Sequence, residues 1–262
     1  MSVLKSKRHI STFEYENTFT ILYQFSAEQT SKVPLRKQKW LCAKIDEIMN
    51  NSYELIMELN ECYFSKEKEI NSEEIINKTI DLLLQLEKPL LILWSVQRYK
   101  TKTMATWSNL LCKELDLLSK MAGKNKKHKI KILDYQTINR VSFLKNMSDF
   151  QLFLYGKVIK APMKYDSTAG TLLLRLVDDA FFYLIEANKK IPENKKELEY
   201  REKCISAAIS NLRKMQRQTL FYCNLMKYSE TVLREWSDYL TTELKLLNAL
   251  KKSDAKRFEH LM

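Results

Sequence analysis

Residues 107–118 have the sequence WSNLLCKELDLL, and residues 236–247 repeat it as WSDYLTTELKLL. Seven of the twelve aligned residues are identical, at an offset of 129. Apolar residues in both copies recur every three or four positions, which is the spacing of an amphipathic α-helix. Matching leucines are common between such helices, whereas a shared Trp-Ser pair and an aligned glutamate are not. The two segments therefore indicate an internal duplication.

A second pair of landmarks has nearly the same spacing. Pro34, within KVPLR, precedes Trp107 by 73 residues, and Pro162, within KAPMK, precedes Trp236 by 74. The offset of 128 between the two prolines also aligns YELIMELN at 53–60 with FFYLIEAN at 181–188. Two unrelated helical segments are the alternative, but they would need both spacings by chance. We infer that a whole unit has been duplicated.

Composition favours an all-α fold for both units. The 262 residues include only three glycines, too few for the hairpins and phosphate-binding loops of barrels, sandwiches and Rossmann sheets. Short connections favour antiparallel neighbouring helices, so we predict two tandem up-down four-helix bundles. The first bundle, with a basic N-terminal tail, is assigned to residues 1–122, a basic linker to 123–139, and the second bundle to 140–262.

Capping residues and prolines place the helices. In the first unit we expect helices from Ser11, from Pro34 to about Tyr63, from Ser72 to about Tyr99 with a kink or split at Pro89, and from Thr101 or Thr103 to Gly123. In the second unit we expect helices at about 140–160, 163–189, 197–227 and 230–252, the last capped by Ser229.

The net charge of +12 is concentrated in three segments. Residues 1–10 and 32–39 contain basic residues and no acid, and residues 121–146 contain seven basic residues and one acid. Such segments bind phosphates, so we predict an RNA-binding surface, with plain solubility and a solvated hinge as alternatives. The predicted RNA-binding residues are Lys5, Lys7, Arg8, Lys32, Arg36, Lys37, Lys39, Lys124, Lys126, Lys127, Lys129 and Lys131.

Aromatic residues near these segments are candidates for stacking on bases. Tyr135 and Phe143 lie in or after the linker, and Trp40 follows Lys39, although Trp40 also falls on an apolar stripe that favours core packing. The second proline junction carries less charge than the first. We therefore expect the second unit to bind nucleic acid less strongly than the first.

Catalytic motifs are missing from the chain. The three histidines, His9, His128 and His260, lie in the tail, the linker and the C-terminus, and none belongs to a metal-binding or nucleophile motif. We predict no catalytic residue, no metal site and no cofactor. Two glutamates recur in both units, as Glu58 with Glu186 and Glu114 with Glu243. They are interpreted as buried or interfacial salt bridges rather than catalysts.

Five separated cysteines, with no CxxC spacing, are typical of reduced thiols in a cytoplasmic protein. The polar, basic N-terminus does not resemble a signal peptide, and no apolar run is long enough to span a membrane. We predict a cytoplasmic protein.

The chain resembles the accessory variability determinant proteins of diversity-generating retroelements, and is similar to bundles encoded by intervening sequences in bacterial 23S ribosomal RNA. The resemblance covers most of the chain. It is carried by KVPLRK at residues 32–37, the apolar stripe that follows, residues 82–94 and the Trp107-Ser108 helix. The second copy, at residues 160–164 and at Trp236-Ser237, is weaker.

This resemblance implies a non-enzymatic protein that binds a reverse transcriptase and its template RNA and supports cDNA synthesis. It also implies a homo-oligomer, and a protein of bacterial or phage origin. Family members with one unit are similar to pentameric barrels, and whole chains with two units cannot form a five-unit ring. The alternatives are a protein-only scaffold, a subunit of a reverse-transcriptase-based phage-defence system, and an unrecognised helical enzyme.

Overall fold

All regular secondary structure in the described part of the chain is helical. The computed structural model describes residues 14–33, 39–64, 72–97, 99–124, 126–130, 135–158 and 169–261. The predicted all-α class is confirmed. The chain divides into two compact units, Met1–Ile132 and Leu133–Met262.

The first unit contains five helices in its described residues. They are α1 (Glu14–Ser31), α2 (Lys39–Phe64), α3 (Ser72–Leu84), α4 (Glu87–Gln97) and α5 (Thr101–Met121). The second unit contains α6 (Tyr135–Arg140), α7 (Ser142–Val158), α8 (Thr171–Asn188), α9 (Lys195–Leu225) and α10 (Glu230–Arg257), followed by a 3-10 turn at Glu259–Leu261. Ser11, Pro34 and Pro162 lie outside the described residues.

In the first unit, α1 packs against α2 and α5, and α3 packs against α2 and α5. Tyr15 near the start of α1 donates to Asn60 near the end of α2, and Tyr23 donates to Asn50 at 2.7 Å. These contacts make α1 and α2 antiparallel. The Trp107 indole of α5 donates to the Ser26 hydroxyl of α1 at 2.9 Å, inside the core.

The predicted break at Pro89 is confirmed as a split between α3 and α4. The backbone N–H groups of Gln85 and Leu86 donate to Leu82 and Leu83, which closes a tight turn after α3. Pro89 then lies in the first turn of α4, where a missing N–H costs no helical hydrogen bond. The corresponding helix of the second unit, α9, is continuous over 31 residues.

In the second unit, α7 packs against α8, α8 against α9, α9 against α10, and α10 against α7. Arg201 near the start of α9 pairs with Asp254 near the end of α10 at 2.6 Å. The Tyr222 ring near the end of α9 meets the Trp236 ring near the start of α10. The helices α9 and α10 are therefore antiparallel.

One aromatic contact occurs in both units at the duplicated positions. Phe25 meets Trp107 edge to face, with ring centroids 5.9 Å apart. Phe153 meets Trp236 edge to face at 6.2 Å. Both tryptophans are fully buried. The offsets between the pairs are 128 and 129, so the repeat read from the sequence corresponds to a repeated packing contact.

One polar contact is also repeated, between α1 and α2 in the first unit and between α7 and α8 in the second. Tyr23 of α1 donates to Asn50 of α2, and Gln151 of α7 donates to Asp178 of α8 at 2.6 Å. Both members of the pair are shifted by 128 residues. The two units therefore share this contact although the residues that form it differ between them.

The predicted helix caps are corrected in two places. The helix α5 is preceded by Lys100, with no side-chain cap, so neither Thr101 nor Thr103 caps it. Ser229 occupies the N-cap position of α10, as predicted, but its side chain makes no capping hydrogen bond. All five cysteines are free, in agreement with the sequence. None of the helices in the described residues has the length and apolar character needed to cross a membrane.

Candidate nucleic-acid interface

The basic segment after α5 begins with a reversal of the chain. Gly123 has a φ of +68°, the left-handed conformation that commonly ends helices. The N–H groups of Gly123 and Lys124 donate to the last carbonyls of α5, at Lys120 and Ser119. The chain then leads into residues 126–130, which carry no helix.

Residues 126–130 are held against α5 by side-chain hydrogen bonds. The backbone N–H of His128 donates to Asp116 at 2.6 Å, and the His128 ring nitrogen lies 3.1 Å from the same carboxylate oxygen. Two residues further on, the Ile130 carbonyl accepts from Ser108 at 3.4 Å. Since Ser108 lies two turns before Asp116, the segment runs antiparallel to α5.

The sequence places His128 in the linker, and the structure packs its side chain beside a carboxylate. The His128 side chain is only 7% exposed, and it contacts Asp116. Its position accounts for the fixed path of residues 126–130. Residues 126–130 therefore lie along α5, and we call them the linker strap.

The linker strap presents its lysines to solvent. Lys126, Lys127 and Lys129 are exposed, as is Lys124 just before it. Lys124 donates to Asn77 of α3 at 2.8 Å. The backbone of the strap is hydrogen-bonded to α5, and the exposed ammonium groups of Lys126, Lys127 and Lys129 can therefore meet phosphates.

The other predicted RNA-binding residues are not brought into this cluster by the described structure. Lys32 is exposed just after α1, and Lys39 is the first residue of α2. Outside the described residues lie Lys5, Lys7, Arg8, Arg36, Lys37 and Lys131. Of the aromatic candidates, Phe143 is 7% exposed in the core of the second unit, so it cannot stack on a base.

Basic residues on α9 were missed by the sequence analysis. Residues 203–225 of α9 contain four basic residues and no acid. Residues 195–202, at the start of α9, contain three basic and three acidic residues, so the uncompensated basic charge begins only at Lys203. Counting the net charge in short windows along each helix, and not only in the segments between helices, would have identified these residues.

The repeated glutamates Glu114 and Glu243 are fully buried, one in each unit. Burial raises the pKa of Glu114 to about 9 and that of Glu243 to about 8. Neither forms an ion pair among the described residues, so the predicted salt bridges are wrong at these positions. The carboxyls are held neutral at pH 7, which removes the cost of burying a charge.

The second pair of repeated glutamates is unlike the first. Glu58 is exposed on α2. Glu186 of α8 pairs with Lys189 at 2.5 Å and accepts from Tyr200 of α9 at 3.1 Å. A salt bridge is therefore present in the second unit, at Glu186.

No three His, Cys, Asp or Glu side chains among the described residues are placed to hold a metal ion. No protein-family model, no curated protein and no solved structure matches this chain.

Proposed function

We propose that this chain is a non-enzymatic accessory protein that binds a reverse transcriptase and its template RNA and supports cDNA synthesis in a retroelement. The resemblance carried by residues 32–37 and by the Trp107-Ser108 helix suggests the polymerase as partner. The observation that supports RNA binding is the group of exposed lysines on and beside the linker strap, held in place by His128 and Asp116.

The proposal includes the architecture of two tandem up-down four-helix bundles. Its support is the closed series of contacts from α7 through α8 and α9 to α10 and back to α7. In the first unit, α3 and α4 together take the place of the third helix, which Pro89 divides.

RNA binding by the strap would depend strongly on salt. Each phosphate neutralised by a lysine releases counterions, and log Kobs falls by about 0.7 per contact with the logarithm of salt concentration for a single strand. Such contacts fix the RNA backbone without reading its sequence. This suits an accessory protein that holds a template while a polymerase copies it.

The polymerase partnership predicts a reverse-transcriptase gene next to the gene for this chain. It is tested by co-expression of the two proteins, followed by affinity purification. We expect the polymerase and RNA to co-purify, with cDNA synthesis reduced when this chain is omitted. Stable polymerase binding without RNA would instead favour a protein-only scaffold or a subunit of a phage-defence system.

The strap is tested by measuring the affinity of the full chain for a single-stranded RNA by fluorescence anisotropy. We expect the double variant Lys126→Glu/Lys127→Glu to bind about tenfold more weakly than wild type. The matched control is Lys100→Glu/Lys102→Glu, which reverses two exposed charges at the start of α5. Equal losses in the two variants would contradict a role for the strap.

We also propose that the chain forms a homo-oligomer in the cytoplasm of a bacterial cell. The first unit exposes Ile21 on α1 and, one turn apart on α2, Tyr53 and Met57. Apolar side chains of this size at a surface favour contact with another protein. Light scattering coupled to size-exclusion chromatography measures the number of chains, and a monomer at all concentrations would contradict this part.

A further inference from the structure

A basic groove runs between α9 and α10 of the second unit. Four α9 residues, Ser206, Ser210, Arg213 and Arg217, lie one above another, because spacings of four, three and four place side chains on one helix face. Across from them, α10 contributes Asn248 and Lys251. The groove has a volume of about 360 Å³, and no carboxylate lines it.

The arginines of this groove have no acidic partner within the part of the chain that the structure describes. Arg213, Lys214 and Arg217 are exposed and form no ion pair among the described residues. Lys251 donates to the Ser206 hydroxyl at 3.3 Å, which points an ammonium group and a hydroxyl toward the same space. Like charges one helical turn apart repel, so an anionic ligand would stabilise this face.

An apolar recess adjoins the groove and shares Arg217 with it. It is lined by Leu172 of α8 and by Gln218, Phe221 and Tyr222 of α9, and its volume is about 410 Å³. Phe221 is 64% exposed and Leu172 is 42% exposed. An exposed phenylalanine beside unpaired arginines combines a stacking surface with phosphate ligands, and the Gln218 amide can both donate and accept hydrogen bonds.

We infer that the α9–α10 groove and its recess bind an unpaired stretch of a nucleic-acid strand. Arg213, Arg217 and Lys251 contact successive phosphates, while one base stacks on Phe221. This site is built from residues of the second unit and shares none with the linker strap, so it predicts nucleic-acid binding by the unit that was expected to bind less strongly. An acidic peptide or a free polyphosphate would use the groove but has no base to place in the recess.

The test measures anisotropy of fluorescein-labelled RNA and DNA oligonucleotides of one unstructured sequence with the full chain, and displacement by inorganic polyphosphate. Arg213→Glu/Arg217→Glu should weaken both oligonucleotides about tenfold and make the salt slope shallower by about 1.4, from two lost contacts. Arg213→Gln/Arg217→Gln serves if the reversal impairs folding, as judged by circular dichroism. The control Lys203→Glu/Lys245→Glu reverses two exposed charges on the same helices outside the groove.

Phe221→Ala distinguishes a nucleotide site from a simple anion site. It should weaken oligonucleotide binding about threefold or more and leave polyphosphate displacement unchanged. An unchanged oligonucleotide affinity, or an equal loss in the control variant, overturns the inference. Lys126→Glu/Lys127→Glu is measured in parallel. If only this strap variant loses binding, the strap proposal is supported and the groove inference is wrong. If only the groove variants lose binding, the groove inference is supported and the strap proposal is wrong.

Discussion

Asn146 of α7 donates its side-chain amide to the buried carboxyl of Glu243 at 2.7 Å. Glu114, the duplicated glutamate in the first unit, has no hydrogen-bond partner among the described residues. At the offset of 128, the position of Asn146 corresponds to Thr18. This difference agrees with the pKa values, since the raised pKa is about 8 for Glu243 and about 9 for Glu114.

The buried carboxyls make the protein less stable as pH rises. Above the ordinary glutamate pKa of 4.5, the unfolded chain loses the proton while folded Glu114 keeps it up to a pKa of about 9. Between these values the free energy of unfolding falls by up to about 1.4 kcal/mol per pH unit. Glu114→Gln removes this dependence, so its stabilisation relative to wild type should grow from pH 5 to pH 8.

Urea unfolding followed by circular dichroism at pH 5, 6.5 and 8 measures this trend. Glu54→Gln is the control, because Glu54 is an exposed glutamate of the same unit. A Glu114→Gln curve parallel to that of the control across this range would contradict the assignment of a neutral buried carboxyl. Glu243→Gln should show the same trend, ending near pH 8 because its raised pKa is about 8.

The Ser26 hydroxyl is the acceptor for the buried Trp107 indole, so Ser26→Ala leaves that N–H unpaired in the core. We expect a loss of about 1–3 kcal/mol in the free energy of unfolding. Ser31→Ala is the matched control, since Ser31 lies on the same helix and its hydroxyl bonds only to the Glu28 carbonyl at an exposed site. Equal denaturation midpoints for the two variants would rule out this role of Ser26.

Asp116 holds the linker strap, so Asp116→Ala should release it. We expect trypsin to cut after Lys126, Lys127 and Lys129 faster in this variant than in wild type, with the helical signal retained. Asp116→Asn keeps a carbonyl acceptor for the His128 N–H and should be intermediate. Asp81→Ala, an exposed change on α3, provides the control. Unchanged cleavage in Asp116→Ala would show that the strap is held by other contacts.

The Arg201–Asp254 pair connects three helices of the second unit. The Arg201 guanidinium donates to Asp254 of α10 and to the Ala187 carbonyl of α8. The two side chains are only 12% and 6% exposed. Asp254→Ala leaves a buried arginine without its carboxylate and should cost about 3–5 kcal/mol.

Thermal unfolding of the full chain tests this cost. Glu193→Ala breaks the exposed pair with Lys190 and should leave the transition unchanged within error. A melting temperature for Asp254→Ala equal to that of the Glu193→Ala control would show that the buried pair contributes little.

Helical periodicity and proline chemistry identified most of the helices. Pro89 marked the split between α3 and α4 because its ring excludes a helical hydrogen bond whatever the tertiary context. The helix α6 was assigned to the linker, since six residues are too few to show a period. It packs on α7, so the last part of the predicted linker, residues 135–139, is helical and belongs to the second unit.

The candidate sites could be found only in part from sequence. The sequence shows the lysine-rich stretch directly. It does not show the contact that holds this stretch, because His128 and Asp116 meet only after the chain reverses direction. Glu114 falls on the apolar stripe with Leu111 and Leu115, so its burial was within reach of pattern reasoning. The sequence could not show that Glu114 has no cationic partner among the described residues, because that depends on which side chains the neighbouring helices supply.

The matched contacts of Phe25 with Trp107 and of Phe153 with Trp236 have an evolutionary consequence. In an assembly of identical single units, a mutation alters every copy at once. Here each copy has its own codons, so selection can change one and leave its twin intact. Position 154 is an example. It aligns with Ser26 of the first copy but holds a leucine, so the two copies have diverged at this position.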